Sequence, residues 1–139
     1  MRILSIDYGT KRIGLAITDN LQKMAHPLKM VSAGASQEMS VDNILREVKS
    51  YFPEIEKIIV GMPYLGDNQK GAMAKTVDSF IEILRKKTDL PVITGDERLT
   101  SYAAESNLAE MQFSRKKRAK FSDSAAAALI LQDYLEEQC

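Results

Sequence analysis

Tryptophan is absent from the 139 residues, and cysteine and histidine occur once each, as Cys139 and His26. A lone cysteine excludes an internal disulfide, and one cysteine with one histidine cannot complete a zinc site or a nucleophilic pair. His26 is therefore assigned to local packing before Pro27. Long apolar runs are also missing, so no membrane span is expected. The run Ile3 to Ile6 follows Met1 and Arg2 and reaches Asp7 too soon to serve as a signal peptide, which points to a cytoplasmic protein without a membrane partner. Charge of one sign is absent as well: 19 basic and 19 acidic residues cancel, so there is no global positive field and any nucleic-acid contact must be local. A chain of this length can bury a core without a disulfide or a structural metal, and no linker-like stretch divides it. Residues 1–139 are expected to form a single domain.

The periodicity changes twice along the chain. Ile3 to Asp7 is a short apolar run, and Ile13, Leu15 and Ile17 alternate with Gly14, Ala16 and Thr18, so both segments read as strands. Tyr8 to Arg12, with Gly9, suits a tight antiparallel connection. A third strand is expected around Leu28 to Ser32. From Ser36 the spacing becomes helical, with Val41, Ile44, Leu45 and Val48 on one stripe and Phe52 extending it until Pro53. Lys57 to Met62 is nearly all apolar and ends at Pro63, as in a strand covered on both faces. Val77, Phe80, Ile81 and Leu84 give a second helix, Pro91 to Thr94 another strand, and Ala104, Leu108 and Met111 a third helix. In the last helix Ala127, Ile130, Leu131, Tyr134 and Leu135 form the buried stripe, with Ser122 as its N-cap. The fold class expected is α/β: a mixed five-stranded sheet, an antiparallel meander followed by parallel strands, with helices on both faces.

Three acids fall where such a sheet builds sites. Asp7 ends the first strand, Glu97 directly follows the strand at Val92 to Thr94, and Asp123 opens the last helix; ends of neighbouring parallel strands share one edge. Carboxylate oxygens without nearby histidine or cysteine favour Mg²⁺ or Mn²⁺ over zinc. Each acid has another reading. Asp123 suits a helix N-terminus by charge alone, Glu97 can pair locally within Asp96-Glu97-Arg98, and Asp7 is the least ordinary because a charge at the end of an apolar strand needs a partner. The spacing of Gly9 with Gly14 and of Gly61 with Gly66 matches a phosphate loop, but Leu15 and Asp67 stand where its lysine belongs, which excludes that motif. Arg115, Lys116, Lys117, Arg118 and Lys120 form a basic run that reads either as a solvated loop or as a phosphate contact.

The exact strings add a family. Ile6-Asp7-Tyr8-Gly9-Thr10-Lys11-Arg12-Ile13-Gly14-Leu15-Ala16 resembles the opening motif of the YqgF family. Val60-Gly61-Met62-Pro63, Asp96-Glu97-Arg98-Leu99-Thr100 and the stretch from Asp123 to Gln132 resemble its later signatures, in order and across essentially the whole chain. The resemblance implies a ribonuclease-H-like fold and a nuclease that matures pre-16S ribosomal RNA at its 5′ end or, alternatively, resolves Holliday junctions in branched DNA. It carries the acidic residues over to Asp7, Glu97 and Asp123, as catalytic groups and ligands of Mg²⁺ or Mn²⁺. The implied hydrolysis uses two metals about 4 Å apart. Thr10, Lys11, Arg12, Arg98, Arg115, Lys116, Lys117 and Arg118 are then candidates to contact backbone phosphates. A non-catalytic nucleic-acid-binding module is the rival of a different class, and retention of all three acids argues against it.

Overall fold

A computed structural model describes residues 1–62, 64–65, 69–70, 72–96 and 115–137, with the backbone alone at 64, 65, 69, 70, 96 and 115–124. The strands of the main sheet are β1 (Arg2–Asp7), β2 (Arg12–Thr18), β3 (Ala25–Ser32), β4 (Ile55–Met62) and β7 (Val92–Asp96). They lie in the order β3-β2-β1-β4-β7. β1 pairs antiparallel with β2 and β2 with β3, whereas β1–β4 and β4–β7 are parallel. The helices are α1 (Gln37–Glu47), α2 (Ala72–Lys87) and α3 (Arg115–Glu137). This is the mixed five-stranded sheet expected from the sequence.

Alternation along each strand divides the core into two layers. Leu4, Ile6, Tyr8, Ile13, Leu15, Ile17, Ile58, Val60 and Met62 face α1 and α2 and pack with Val41, Ile44, Val77, Phe80 and Leu84. Ile3, Ala16 and Ile59 face the other way and pack with Ala127, Ile130, Leu131 and Leu135 of α3. The sheet is thus covered on both faces, which accounts for the continuous apolar run in β4. Helix α1 starts as the sequence suggests: Ser36 is extended (φ −138°) and its side chain accepts a hydrogen bond from the Met39 N–H at 3.2 Å.

Four expectations change. β3 begins at Ala25 and runs through Pro27; it lies at the edge of the sheet, where a missing N–H does not break an inner ladder. Phe52 does not continue α1 but opens a short 3₁₀ turn, Phe52–Glu54, because Pro53 cannot extend the helix. A small antiparallel pair, β5 (Tyr64–Leu65) with β6 (Gln69–Lys70), occupies a stretch where no element was expected. The largest change is in α3, which begins at Arg115 rather than at Ser122. Lysine, arginine and alanine are strong helix formers, and their propensity outweighs the local capping signal at Ser122. The basic run is therefore helical, and Asp123 lies in the third turn of the helix, not the first. The helix expected around Ala104 to Met111 falls outside the described residues.

Candidate active site

The site is built outward from the end of β1, the central strand. Asp7 is the last residue of β1 and is only 9% exposed. It shares a sheet face with Ser5 and Ile3, the face covered by α3. Its cross-strand partner is Gly14 on β2. On the other side, Ile6 pairs with Val60, so Gly61 is the next residue along β4, and Gly61 pairs in turn with Gly95 on β7. By strand alternation Gly14, Gly61 and Gly95 all lie on the face of Asp7, in line with Ala16, Ile59 and Ile93. The acid is therefore flanked by a row of glycines across the neighbouring strands, and over the farthest of them, Gly95, the space is taken by Ile130 of α3 and by Ile59, whose Cγ2 atoms would lie 2.9 and 3.2 Å from a Cβ there.

Two contacts fix the end of β1. Tyr8 points to the opposite face, where its ring packs on Phe80 of α2 with centroids 4.5 Å apart and planes tilted by 33°. Its hydroxyl accepts a hydrogen bond from the Gln37 side chain at 3.4 Å, and the same Gln37 nitrogen donates to the Thr76 carbonyl at 2.9 Å. The turn that follows is tight: a Cβ on Gly9 would lie 2.3 Å from the carbonyl oxygen of Arg12, closer than any side chain permits. The Lys11 carbonyl accepts from the Ala33 N–H at 3.0 Å, tying this turn to the end of β3. Thr10, Lys11 and Arg12 are all exposed on it.

α3 reaches the same face through a buried hydrogen bond. The Ser5 hydroxyl, fully buried, donates to the Ala127 carbonyl at 2.8 Å. Farther along α3, the Lys57 ammonium donates to the Tyr134 hydroxyl at 2.8 Å and sits 5.2 Å from the centre of that ring. The hydrogen bond to Tyr134 is the main reason the Lys57 pKa lies above its ordinary value. Lys57 pairs with Ile3 in the β1–β4 register. α3 therefore runs against the direction of β1, and its N-terminal half lies toward the Asp7 end. Position 123 is one helical turn before Ala127 in that direction.

Of the three acids, the structure places Asp7 in full and Asp123 by its position on α3. Glu97 follows Asp96, the last residue of β7, and lies outside the described residues, as does Arg98. Arg115, Lys116, Lys117 and Arg118 form the first turn of α3. Among the described residues no group of three His, Cys, Asp or Glu side chains is close enough to hold a metal ion. Also among the described residues, no helix is long and apolar enough to cross a membrane. Sequence reasoning missed Ser5, Tyr8 and Gln37. The signal for Ser5 was available: it is a polar residue at an inward position of an otherwise apolar strand.

A mixed sheet with this strand order, flanked by helices and carrying an acid at the end of its central strand, defines a ribonuclease-H-like domain. The fold is shared with RuvC of Thermus thermophilus: a RuvC complex with a Holliday junction substrate matches at a TM-score of 0.56 and 18% identity, over 99% of this chain and 96% of that one. A second Thermus thermophilus RuvC structure matches at 0.55 and 16% identity, over 99% and 97%. The chain belongs to the family whose model is described as "RuvX: Holliday junction resolvase", which it matches over residues 1–137. Curated relatives span the whole chain. A protein of Protochlamydia amoebophila named "Putative pre-16S rRNA nuclease" is 39% identical over 142 residues, covering 99% of this chain and 95% of its own length. Proteins of the same name from Halothermothrix orenii and Listeria innocua are 41% and 39% identical, covering 99% and 98% of this chain and 96% and 98% of their own lengths. The resemblance to the YqgF family read from the motifs holds.

Proposed function

We propose that this protein is a divalent-metal-dependent nuclease that hydrolyses phosphodiester bonds in pre-16S ribosomal RNA, maturing its 5′ end in the cytoplasm. The observation that carries the reading is the buried carboxylate of Asp7 at the end of the central strand, beside a row of glycines, in a chain whose full-length relatives bear the name of that activity. Asp7, Glu97 and Asp123 are the proposed ligands of Mg²⁺ or Mn²⁺. The donor chemistry fits: carboxylates are hard oxygen donors suited to these ions, and the positions next to Asp7 on both neighbouring strands, Gly14 and Gly61, carry no side chain. When bound, such ions activate the attacking water and stabilise charge on the leaving oxygen.

The chain's own residues do the rest. The buried carboxylate supplies fixed negative charge at low exposure, where it attracts a cation more strongly than in water. Thr10, Lys11 and Arg12, exposed on the tight turn next to Asp7, are proposed contacts for a backbone phosphate. Arg98 and the first turn of α3, with Arg115, Lys116, Lys117 and Arg118, are the further proposed phosphate contacts. A basic helix start adds the positive end of the helix dipole to the side-chain charges.

The family description favours one second reading, the resolution of Holliday junctions in branched DNA. The net charge of zero weighs against it, because a large four-way junction presents many phosphates to neutralise. The deciding experiment incubates the purified protein with Mg²⁺ or Mn²⁺ and, in parallel, a precursor 16S RNA fragment, unrelated single-stranded RNA and a four-way DNA junction. Faster cleavage of the precursor RNA at matched salt supports the proposal, and faster cleavage of the junction replaces it with the second reading.

A further inference from the structure

The face of α3 that meets the sheet carries Ala127 and Ala128 toward the acids and Ile130, Leu131 and Leu135 farther along. Ala126 and Ala127 are buried, and Ala125 and Ala128 lie beside them. Farther along, Ile130 seats over Gly95, where a Cβ would lie 2.9 Å from its Cγ2, so packing guides the C-terminal half of the helix, while the small side chains around Ala127 interlock less with the strands beneath. A slip of one residue would move the helix by about 1.5 Å and turn it by about 100°. Nearer the acids than Ile130, a polar bond to the sheet would add to packing in setting where position 123 stands relative to Asp7.

Three hydrogen bonds of the described residues join the sheet to α3. The Ala25 N–H donates to the Gln132 side chain at 3.2 Å, and Lys57 donates to Tyr134 at 2.8 Å; both lie in the C-terminal half of the helix. The third, from Ser5 to the Ala127 carbonyl, is fully buried and is the nearest of the three to the acids. Two residues of strand separate Ser5 from Asp7 and four residues of helix separate Ala127 from Asp123. These are nearly equal steps, about 6.7 Å and about 6 Å, taken toward the same end of the sheet because α3 runs against β1.

We infer that Ser5 is a positioning residue for the metal-binding acids, its hydroxyl holding α3 in the one register that sets position 123 alongside Asp7. The inference rests on the proposed role of Asp7 and Asp123 as metal ligands. Ser5 touches neither metal nor substrate, and it acts by fixing the separation of two ligands that come from different elements. A support of this kind tunes affinity by holding ligands in a narrow range of geometry.

The test compares Ser5→Ala with Tyr134→Phe, which loosens α3 at its far end. Mn²⁺ binding to each intact protein is measured by calorimetry, and kcat and KM for the precursor RNA are measured with Mn²⁺ saturating and limiting. Ser5→Ala is expected to weaken Mn²⁺ binding about tenfold or more, and to lower kcat at limiting Mn²⁺ with KM for RNA unchanged. Ser5→Thr, which keeps the hydroxyl, is expected to restore most of the binding. Tyr134→Phe is expected to lower the melting temperature while leaving Mn²⁺ binding as in the wild type. Wild-type Mn²⁺ affinity in Ser5→Ala, or an equal loss in both variants, overturns the assignment of Ser5 while leaving the metal site intact. A wild-type protein that binds no Mn²⁺ overturns the metal site itself, and the role of Ser5 with it.

Discussion

Asp7 and Gly14 face each other across the β1–β2 ladder, so the buried acid has a cross-strand neighbour without a side chain. In an antiparallel pair the residue directly opposite is the nearest side-chain neighbour on that face, with Cβ atoms about 5 Å apart. A side chain at this position would stand directly beside the carboxylate proposed to hold a cation. Gly14→Val is accordingly expected to lower cleavage at least about tenfold, through displaced ligands, while β-branched valine remains compatible with the strand. Cleavage assays together with far-ultraviolet circular dichroism check this. Unchanged cleavage in a folded Gly14→Val protein would show that the glycine row is not part of the site.

The basic run can be tested apart from the acids. Replacing Lys116, Lys117 and Arg118 together with alanine should weaken RNA binding and flatten its dependence on salt, since each lost phosphate contact removes a share of counterion release. The position of the run at the start of α3 adds a second expectation. Positive charge in a first helical turn opposes the helix dipole, and alanine is the best helix former, so the melting temperature should stay level or rise. A binding titration over several salt concentrations, with a thermal melt of the same samples, reads both. An unchanged salt slope would assign the run to solvent.

The placement of this run also shows what the sequence could and could not convey. The two faces of the sheet were legible because alternation is a strong signal: Ile13, Leu15 and Ile17 pack on one side and Ala16 on the other. The α2 stripe of Val77, Phe80, Ile81 and Leu84 is buried as its spacing suggests. The start of α3 was not legible, because a charge run carries no apolar stripe and Ser122 offers a plausible cap in the wrong place. The start of β3 was hidden by Pro27, which an edge strand tolerates. Within the site, Asp7 stood out because an acid at the end of an apolar strand is costly. Ser5 did not, since the partner that satisfies it is the backbone of a residue 122 positions away. Only the packed structure brings that pair together.

The turn after β2 predicts a pH effect remote from the acids. The Asp19 carboxylate accepts from the backbone N–H groups of Lys23 at 2.8 Å and Met24 at 3.0 Å. The bond from Met24 is the main cause that holds its carboxyl below its ordinary value. A depressed folded-state value means that the ionised form favours the fold. That contribution is present above the unfolded-state value and is lost as pH falls through the lower folded-state one. Asp19→Ala is expected to make the fall of melting temperature below about pH 4 shallower than in the wild type. The side chain is exposed, so the difference should be small and should shrink further in high salt. Parallel acid limbs in thermal melts of the two proteins would refute the linkage.

The acids carry the central prediction. Asp7→Asn, Glu97→Gln and Asp123→Asn should each reduce cleavage to near background while leaving the protein folded and able to bind RNA. An amide keeps the size and shape of the carboxylate but removes the charge that attracts a divalent ion. Activation of the water and stabilisation of the leaving oxygen would then fail together, because both depend on the same ions. Losses of groups that act as one unit do not add. The double variant Asp7→Asn with Asp123→Asn should therefore be scarcely worse than either single variant. Phosphate contacts from Lys11, Arg12 and the start of α3 do not depend on the acids, so RNA affinity measured in EDTA should match the wild type. A separate loss of fold would show as a changed circular dichroism spectrum, and this is not expected at Asp7, where aspartate and asparagine occupy the same space. Near-normal cleavage by Asp7→Asn at saturating Mg²⁺, and again at saturating Mn²⁺, would remove the basis for a metal-dependent nuclease built on the end of β1.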